Sequence, residues 1–171
     1  MKTLLKTLLK KLLNKEIYML EVGQKAPKFS LPDENGAIIS LDDFKGKKLV
    51  LYFYPKDSTP GCTTEARDFT ALIPEFDKAG AVVIGASKDS MKRHQNFIAK
   101  QNIGFSLLSD EDGILCEAYG VWVMKKLYGR EYMGIQRATF LIDEVGIIQH
   151  IWPKVKVKGH AQQVLETITS A

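Results

Sequence analysis

Apolar residues recur along this chain in three rhythms, and each rhythm predicts a different kind of element. At the start, Leu4, Leu5, Leu8, Leu9, Leu12 and Leu13 repeat at helical spacing with lysines between them, which predicts an amphipathic helix over residues 1–20. A second unit, residues 21–171, then begins. Residues 24–31 with Pro27 and Pro32 read as extended chain, and Asp33-Glu34-Asn35-Gly36 is a turn signal leading into residues 37–41, so a short hairpin is expected. Residues 42–46 suggest one helical turn closed by Gly46. The third rhythm is the unbroken run KLVLYFY over residues 48–54, as in a central strand buried on both faces.

Residues 55–61 are a loop by composition. From Cys62 onward, Ala66, Phe69, Leu72, Ile73 and Phe76 fall on one face of a single helix. A strand follows at 81–86, a helix at 90–101 with Phe97 and Ile98 inward, a short strand at 105–108, and one or two helical turns at 114–119. Residues 137–143 and 147–153 predict two strands that pair across the turn at 144–146, and residues 161–170 predict a closing helix. Strands alternating with helices and ending in a hairpin indicate an α/β fold: a mixed central sheet flanked by helices, with an N-terminal amphipathic helical extension.

Charge changes how that extension is read. The chain has 24 basic and 20 acidic residues, but five lysines and one acid lie within residues 1–18, which leaves nineteen of each sign for the rest. The body is neutral and offers no electrostatic footprint for nucleic acid. The same leader pattern would suit a helix on an anionic membrane surface. The reading preferred is an extension that packs on the body, carries no role, or precedes a start at Met19, with membrane contact the lesser alternative. Two cysteines, Cys62 and Cys116, are too few for a secreted disulfide scaffold, so a reducing cytoplasm is expected. There is no CxxC and no paired Cys/His spacing, and His94, His150 and His160 are scattered, so neither a metal nor a cofactor is expected.

The loop at 55–61 carries the candidate chemistry. A cysteine at the start of a helix meets free backbone N–H groups and the positive end of the helix dipole, both of which favour thiolate over thiol. A strand feeding a helix also brings Cys62 to the carboxyl edge of the sheet, where α/β sites form. Gly61 permits close approach of a substrate to the backbone, and Thr59 can bring a hydroxyl to the sulfur or to a bound oxygen.

The stretch FYPKDSTPGCTTEA resembles the active-site segment of the peroxiredoxins, whose pattern Pro-x-x-x-Thr-x-x-Cys is filled by Pro55, Thr59 and Cys62. The wording around it resembles the bacterioferritin-comigratory, or peroxiredoxin Q, branch. The likeness continues through LSDEDGILCEAYGVW and YGREYMGIQRATFLIDEVG, covering residues 20–170 in order. It implies a thioredoxin-like fold and reduction of hydrogen peroxide and organic hydroperoxides. It further implies that Cys62 attacks the peroxide, that Arg137 supplies a fixed cation, that Thr59 hydrogen-bonds sulfur and peroxide, and that Pro55 shapes and shields the pocket.

The chain departs from the branch at the resolving cysteine. Arg67 stands five residues after Cys62, and Ile98 occupies the aligned position on the next helix, so neither resolving site is filled. The expectation is a one-cysteine cycle in which thioredoxin, glutaredoxin or glutathione reduces the Cys62 sulfenic acid. Two alternatives stay open: Cys116 as resolver, or a redox sensor without turnover. A disulfide oxidoreductase is disfavoured by the missing CxxC. The resemblance suggests a monomer or dimer, and the aromatic group Tyr119, Trp122, Tyr128 and Tyr132 is given no role.

Overall fold

A computed structural model describes residues 20–170, so the predicted leader helix lies outside the described residues. Among the described residues nine strands and five α-helices follow in order, with a single 3-10 turn at Leu41–Phe44 where one helical turn was expected. They are β1 (Ser30–Pro32), β2 (Ile38–Ser40), β3 (Lys48–Phe53), α1 (Pro60–Ala71), α2 (Ile73–Lys78), β4 (Ala81–Ser87) and α3 (Met91–Gln101). Then come β5 (Leu107–Ser109), α4 (Ile114–Ala118), β6 (Trp122–Leu127), β7 (Arg130–Ile135), β8 (Ala138–Ile142), β9 (Ile148–Trp152) and α5 (His160–Thr169). None of the described helices is long and apolar enough to cross a membrane.

The central sheet has the order β5-β4-β3-β8-β9, with β3, β4 and β5 parallel and β8 and β9 antiparallel to their neighbours. β3 sits in the middle, and five of its six residues are buried, as the continuous apolar run requires. Alternation along the strands sorts the core into two layers. Leu49, Leu51 and Phe53 join Phe140 and Ile142 of β8 and Leu115, Cys116 and Tyr119 on one side. Val50, Tyr52 and Tyr54 join Leu141, Phe69, Phe97, Val164 and Cys62 on the other. This is the thioredoxin-like α/β arrangement, a mixed sheet between helical layers.

Two features differ from the sequence reading. The single helix expected from Cys62 to Phe76 is broken at Leu72, and Pro74 sits in the first turn of α2. Proline inside a continuous helix would remove one hydrogen bond and clash with the carbonyl four residues back, so the chain restarts instead. Phe69 and Phe76 are still both fully buried. The second difference is a two-stranded hairpin, β6–β7, where no element was expected. Its two-residue turn has positive φ at both Tyr128 (49°) and Gly129 (76°), the backbone of a type I′ connection.

Candidate active site at the amino end of α1

The site is built where β3 leaves the sheet. β3 delivers Pro55, and the loop then turns through Ser58, a non-glycine residue at φ 64°, into Thr59, the N-cap of α1. Pro60 takes the first helical position, where its missing N–H costs nothing. Cys62 is the third helical residue, so the N–H groups of Gly61 and Cys62 belong to the first turn, which has no intrahelical acceptors. Arg137 arrives from the other direction. β8 pairs antiparallel with β3, Ala138 lies opposite Phe53, and Arg137 therefore stands at the carboxyl edge of β3 beside the loop.

These two approaches converge on one contact: Arg137 Nη2 donates to Cys62 Sγ at 3.3 Å. Gly61 makes the convergence sterically feasible, because a Cβ there would lie 3.2 Å from the same Nη2. Cys62 is 2% exposed. Thr59 does not touch the sulfur in this state; its hydroxyl donates to the Lys56 carbonyl at 2.8 Å, leaving its lone pairs as acceptors. Pro55 is half-buried at the head of the loop, and Arg67 is exposed on the outer face of α1.

Glu65 is the functional neighbour that the sequence reading missed. It lies one helical turn after Cys62, on the same face, and its Oε1 accepts from Arg137 Nη1 at 2.7 Å. Its signal in the sequence was the i, i+3 spacing from Cys62. The guanidinium therefore bridges a carboxylate and the sulfur. Burial opposes the charge on Arg137, but Glu65 and Cys62 together hold it firmly protonated. Glu65 Oε2 and the Tyr52 hydroxyl are buried without hydrogen-bond partners among the described residues. Burial raises the Glu65 carboxyl from an ordinary 4.5 to about 7, against the opposing pull of Arg137.

That shift makes a testable statement about pH. Between 4.5 and about 7 the folded protein holds a proton on Glu65 that the unfolded chain releases. This group's contribution therefore lowers native stability as pH rises through that window and is constant above it. Replacing Glu65 with Gln is expected to remove this slope. The stability difference between wild type and variant should change by on the order of 3 kcal/mol from pH 4.5 to pH 7.5 in urea unfolding.

A second buried network fixes the loop from behind. His94, fully buried on α3, places Nδ1 2.7 Å from Asp57 Oδ2 and Nε2 2.9 Å from the Leu108 carbonyl. Asp57 Oδ1 accepts from the Tyr54 hydroxyl at 2.5 Å, and its backbone N–H donates to Asp89 Oδ2 at 2.9 Å. Burial pushes His94 down, yet the Asp57 hydrogen bond and charge outweigh it and the ring is shifted up. Both ring nitrogens thus face acceptors, as an imidazolium requires. Asp57, Asp89 and His94 have metal-ligating atoms close together, but those atoms are spent on one another, on Ser87 and on Arg93 Nε at 2.8 Å. The network anchors the loop to α3 and β4. His160 is buried and pushed down to about 4 by burial and by Arg137, while His150 is half-buried.

Cys116 belongs to a different environment. It is fully buried in the core layer on the opposite side of the sheet from Cys62. Its backbone N–H donates to Asp110 Oδ2 at 2.8 Å. Burial first, and the Asp110 charge second, push its thiol well above the ordinary value.

Residues 22–151 match the AhpC/TSA family. Peroxiredoxin Bcp of Bacillus subtilis is 51% identical over 149 residues, covering 87% of this chain and 95% of that protein. Peroxiredoxin Q of Xanthomonas campestris superposes with a TM-score of 0.80 at 51% identity, covering 83% of this chain and 90% of its own. A structure of the Xanthomonas campestris bacterioferritin comigratory protein, determined as a trapped intermediate/ligand complex to study its alkyl peroxide reduction, superposes at 0.79 with 50% identity over the same shares.

Proposed function

The chain belongs to the AhpC/TSA family and is a thiol-dependent peroxidase of the peroxiredoxin kind, and from that premise we propose a one-cysteine cycle centred on Cys62. The substrates are hydrogen peroxide and organic hydroperoxides. Cys62 thiolate attacks one peroxide oxygen, an S–O bond forms as the O–O bond breaks, and the departing hydroxide or alkoxide takes up a proton. Sulfur is oxidised by two electrons to the sulfenic acid, and the peroxide is reduced to water or alcohol. Charge moves from sulfur toward the leaving oxygen, so a donor fixed beside that path stabilises the transition state more than the ground state. The observation that carries this reading is Arg137 Nη2 at 3.3 Å from Cys62 Sγ, at the amino end of α1.

Thr59 takes the role of acceptor. With its own proton committed to the Lys56 carbonyl, its hydroxyl is suited to accept a hydrogen bond from the peroxide O–H and so to orient it. Pro55 walls the pocket. An external thiol then attacks the sulfenic sulfur: an S–S bond forms, hydroxide leaves and becomes water, and a second thiol releases Cys62. The support for an external thiol is the position of Cys116. A disulfide needs Cα atoms within about 7 Å, and the β-sheet lies between the two thiols. A reducing cytoplasm supplies such thiols. We assign the whole cycle to residues 21–171, working as a monomer or dimer, with residues 1–20 an extension outside it.

The experiment that tests the one-cysteine form is steady-state peroxide reduction by the Cys116→Ser variant with a small thiol as reductant. Turnover within about twofold of wild type is expected, because a residue outside the cycle has little effect on it. A loss of tenfold or more, with the thermal unfolding midpoint unchanged, would give Cys116 a part in resolution.

A further inference from the structure

Beside Pro55 the structure holds an open groove of about 430 Å³, running between the active-site loop and the β6–β7 hairpin. Its walls include Pro55, Trp122 and Tyr132 as apolar surface and Lys56, Lys88 and Lys125 as cations. Among the described residues, none of these three lysines has a carboxylate within 4.0 Å. Lys88 Nζ lies over the Trp122 ring at 4.1 Å. The single carboxylate in the wall, Asp89, is buried and already held by Arg93 and Ser87. The groove is therefore apolar on its sides and positive without compensation.

Lys125 is the groove lysine carried by the hairpin. It pairs with Tyr132 across the hairpin, and Gly134 lies on the same face. A Cβ at Gly134 would come within 3.1 Å of Lys125 Cδ and 3.3 Å of the Tyr132 ring. The bare backbone there lets the lysine stem lie flat along the strand. The half-buried ammonium is pushed down by burial and then by the Arg137 charge, and pulled up by Cys62, so it shares the electrostatic field of the reacting pair.

We infer that this groove seats the resolving reductant, and that the reductant is a small thiol carrying carboxylates, held by Lys125 with Lys56 and Lys88 behind it. The inference rests on the one-cysteine reading above and names the reductant class for that cycle. Two observations favour a small anionic thiol over a protein. Cys62 is 2% exposed, so a slender molecule meets less steric obstruction at the sulfur than a folded protein does. The uncompensated lysines favour an anion over a neutral or cationic thiol by charge complementarity. In the step itself the thiolate attacks Cys62–S–OH, the new S–S bond forms as the S–O bond breaks, and hydroxide leaves. A second thiol then returns Cys62 to the reduced state and departs as the small-molecule disulfide.

The test uses the full chain, oxidised with one equivalent of hydrogen peroxide and mixed with mercaptosuccinate, 2-mercaptoethanol or cysteamine. Loss of sulfenic acid is followed by quenched mass spectrometry. Each rate is divided by that thiol's rate with 2-hydroxyethyl disulfide, which corrects for intrinsic nucleophilicity. Wild type should show mercaptosuccinate ahead of 2-mercaptoethanol by about tenfold, with cysteamine slowest, and the advantage should shrink at high salt. Lys125→Gln should reduce the mercaptosuccinate ratio to within about threefold of unity, and Lys125→Arg should restore it. Equal normalised rates in wild type, or a ratio that Lys125→Gln leaves unchanged, would overturn the inference. So would a sulfenic acid that no small thiol reduces while a protein dithiol does. An anionic hydroperoxide whose oxidation rate depends on Lys125, with no such dependence for mercaptosuccinate, would assign the groove to the oxidant instead. Failure of Cys62 to form sulfenic acid at all would remove the peroxidase cycle itself, and is seen in the first step, before any thiol is added.

Discussion

Cys62→Ser protein is expected to lose peroxide turnover by at least about a thousandfold while remaining folded. The loss follows from the acid–base chemistry around the residue. A serine hydroxyl stays protonated near neutrality and becomes a nucleophile only when a base takes its proton. Position 62 is hydrogen-bonded by Arg137, which is a donor, and Glu65 has its Oε1 committed to the same guanidinium. Among the described residues no base is hydrogen-bonded to position 62 to activate the hydroxyl, and no other described thiol would take over, because Cys116 is fully buried on the far side of the sheet. Serine is close to cysteine in size, so an intact unfolding transition accompanies the loss. The check is peroxide consumption with excess thiol, read beside thermal unfolding. Residual turnover within tenfold of wild type would mean that the chemistry lies elsewhere.

The second large effect concerns Arg137. Arg137→Met is expected to slow the reaction of the reduced enzyme with hydrogen peroxide by about 10²–10³, the usual cost of removing one fixed donor from a developing anion. The same substitution strips Glu65 of its only hydrogen-bond partner among the described residues. An isolated buried carboxylate is costly, but Glu65 already sits at about 7, so protonation relieves it near neutrality. The variant should therefore fold, with its stability falling as pH rises from 4.5 and still falling above pH 7, where the wild-type contribution of Glu65 is constant. Arg137→Lys should recover only part of the rate. One ammonium lacks the planar fork that lets the guanidinium serve Glu65 with Nη1 and Cys62 with Nη2 at once. Stopped-flow measurement of the peroxide step, separate from thiol resolution, distinguishes these outcomes. A rate for Arg137→Met within fivefold of wild type would contradict the role given to the guanidinium.

How much of this was legible beforehand depended on whether the signal was local. The KLVLYFY run and the loop composition before Cys62 are local, and they placed β3 to within one residue and the amino end of α1 two residues late, at Cys62 rather than Pro60. Arg137 was legible only through the family pattern. Its approach to Cys62, 75 positions away, comes from the β3–β8 register, which periodicity does not reveal. Glu65 was missed because an acid one turn after a cysteine is ordinary on a helix surface. Only the packing of α1 against the sheet turns that face inward. His94 was missed for a similar reason, since its pairing with Asp57 joins α3 to the loop across 37 positions. The β6–β7 hairpin escaped notice because Lys125, Lys126, Arg130 and Glu131 interrupt the apolar alternation that marks a strand. Tyr128-Gly129 also lacks the Asn-Gly signal of a tight turn. Those polar interruptions are the reason the hairpin can wall a charged groove.

The most direct test of the central claim is non-reducing intact-mass spectrometry with peptide mapping, after fully reduced protein receives one equivalent of hydrogen peroxide. Rapid conversion of Cys62 to a form carrying one added oxygen is expected, with Cys116 still a free thiol. A disulfide joining Cys62 to Cys116, within or between chains, would contradict the one-cysteine cycle, and a Cys62 that stays reduced would contradict the assignment of the chemistry to this residue.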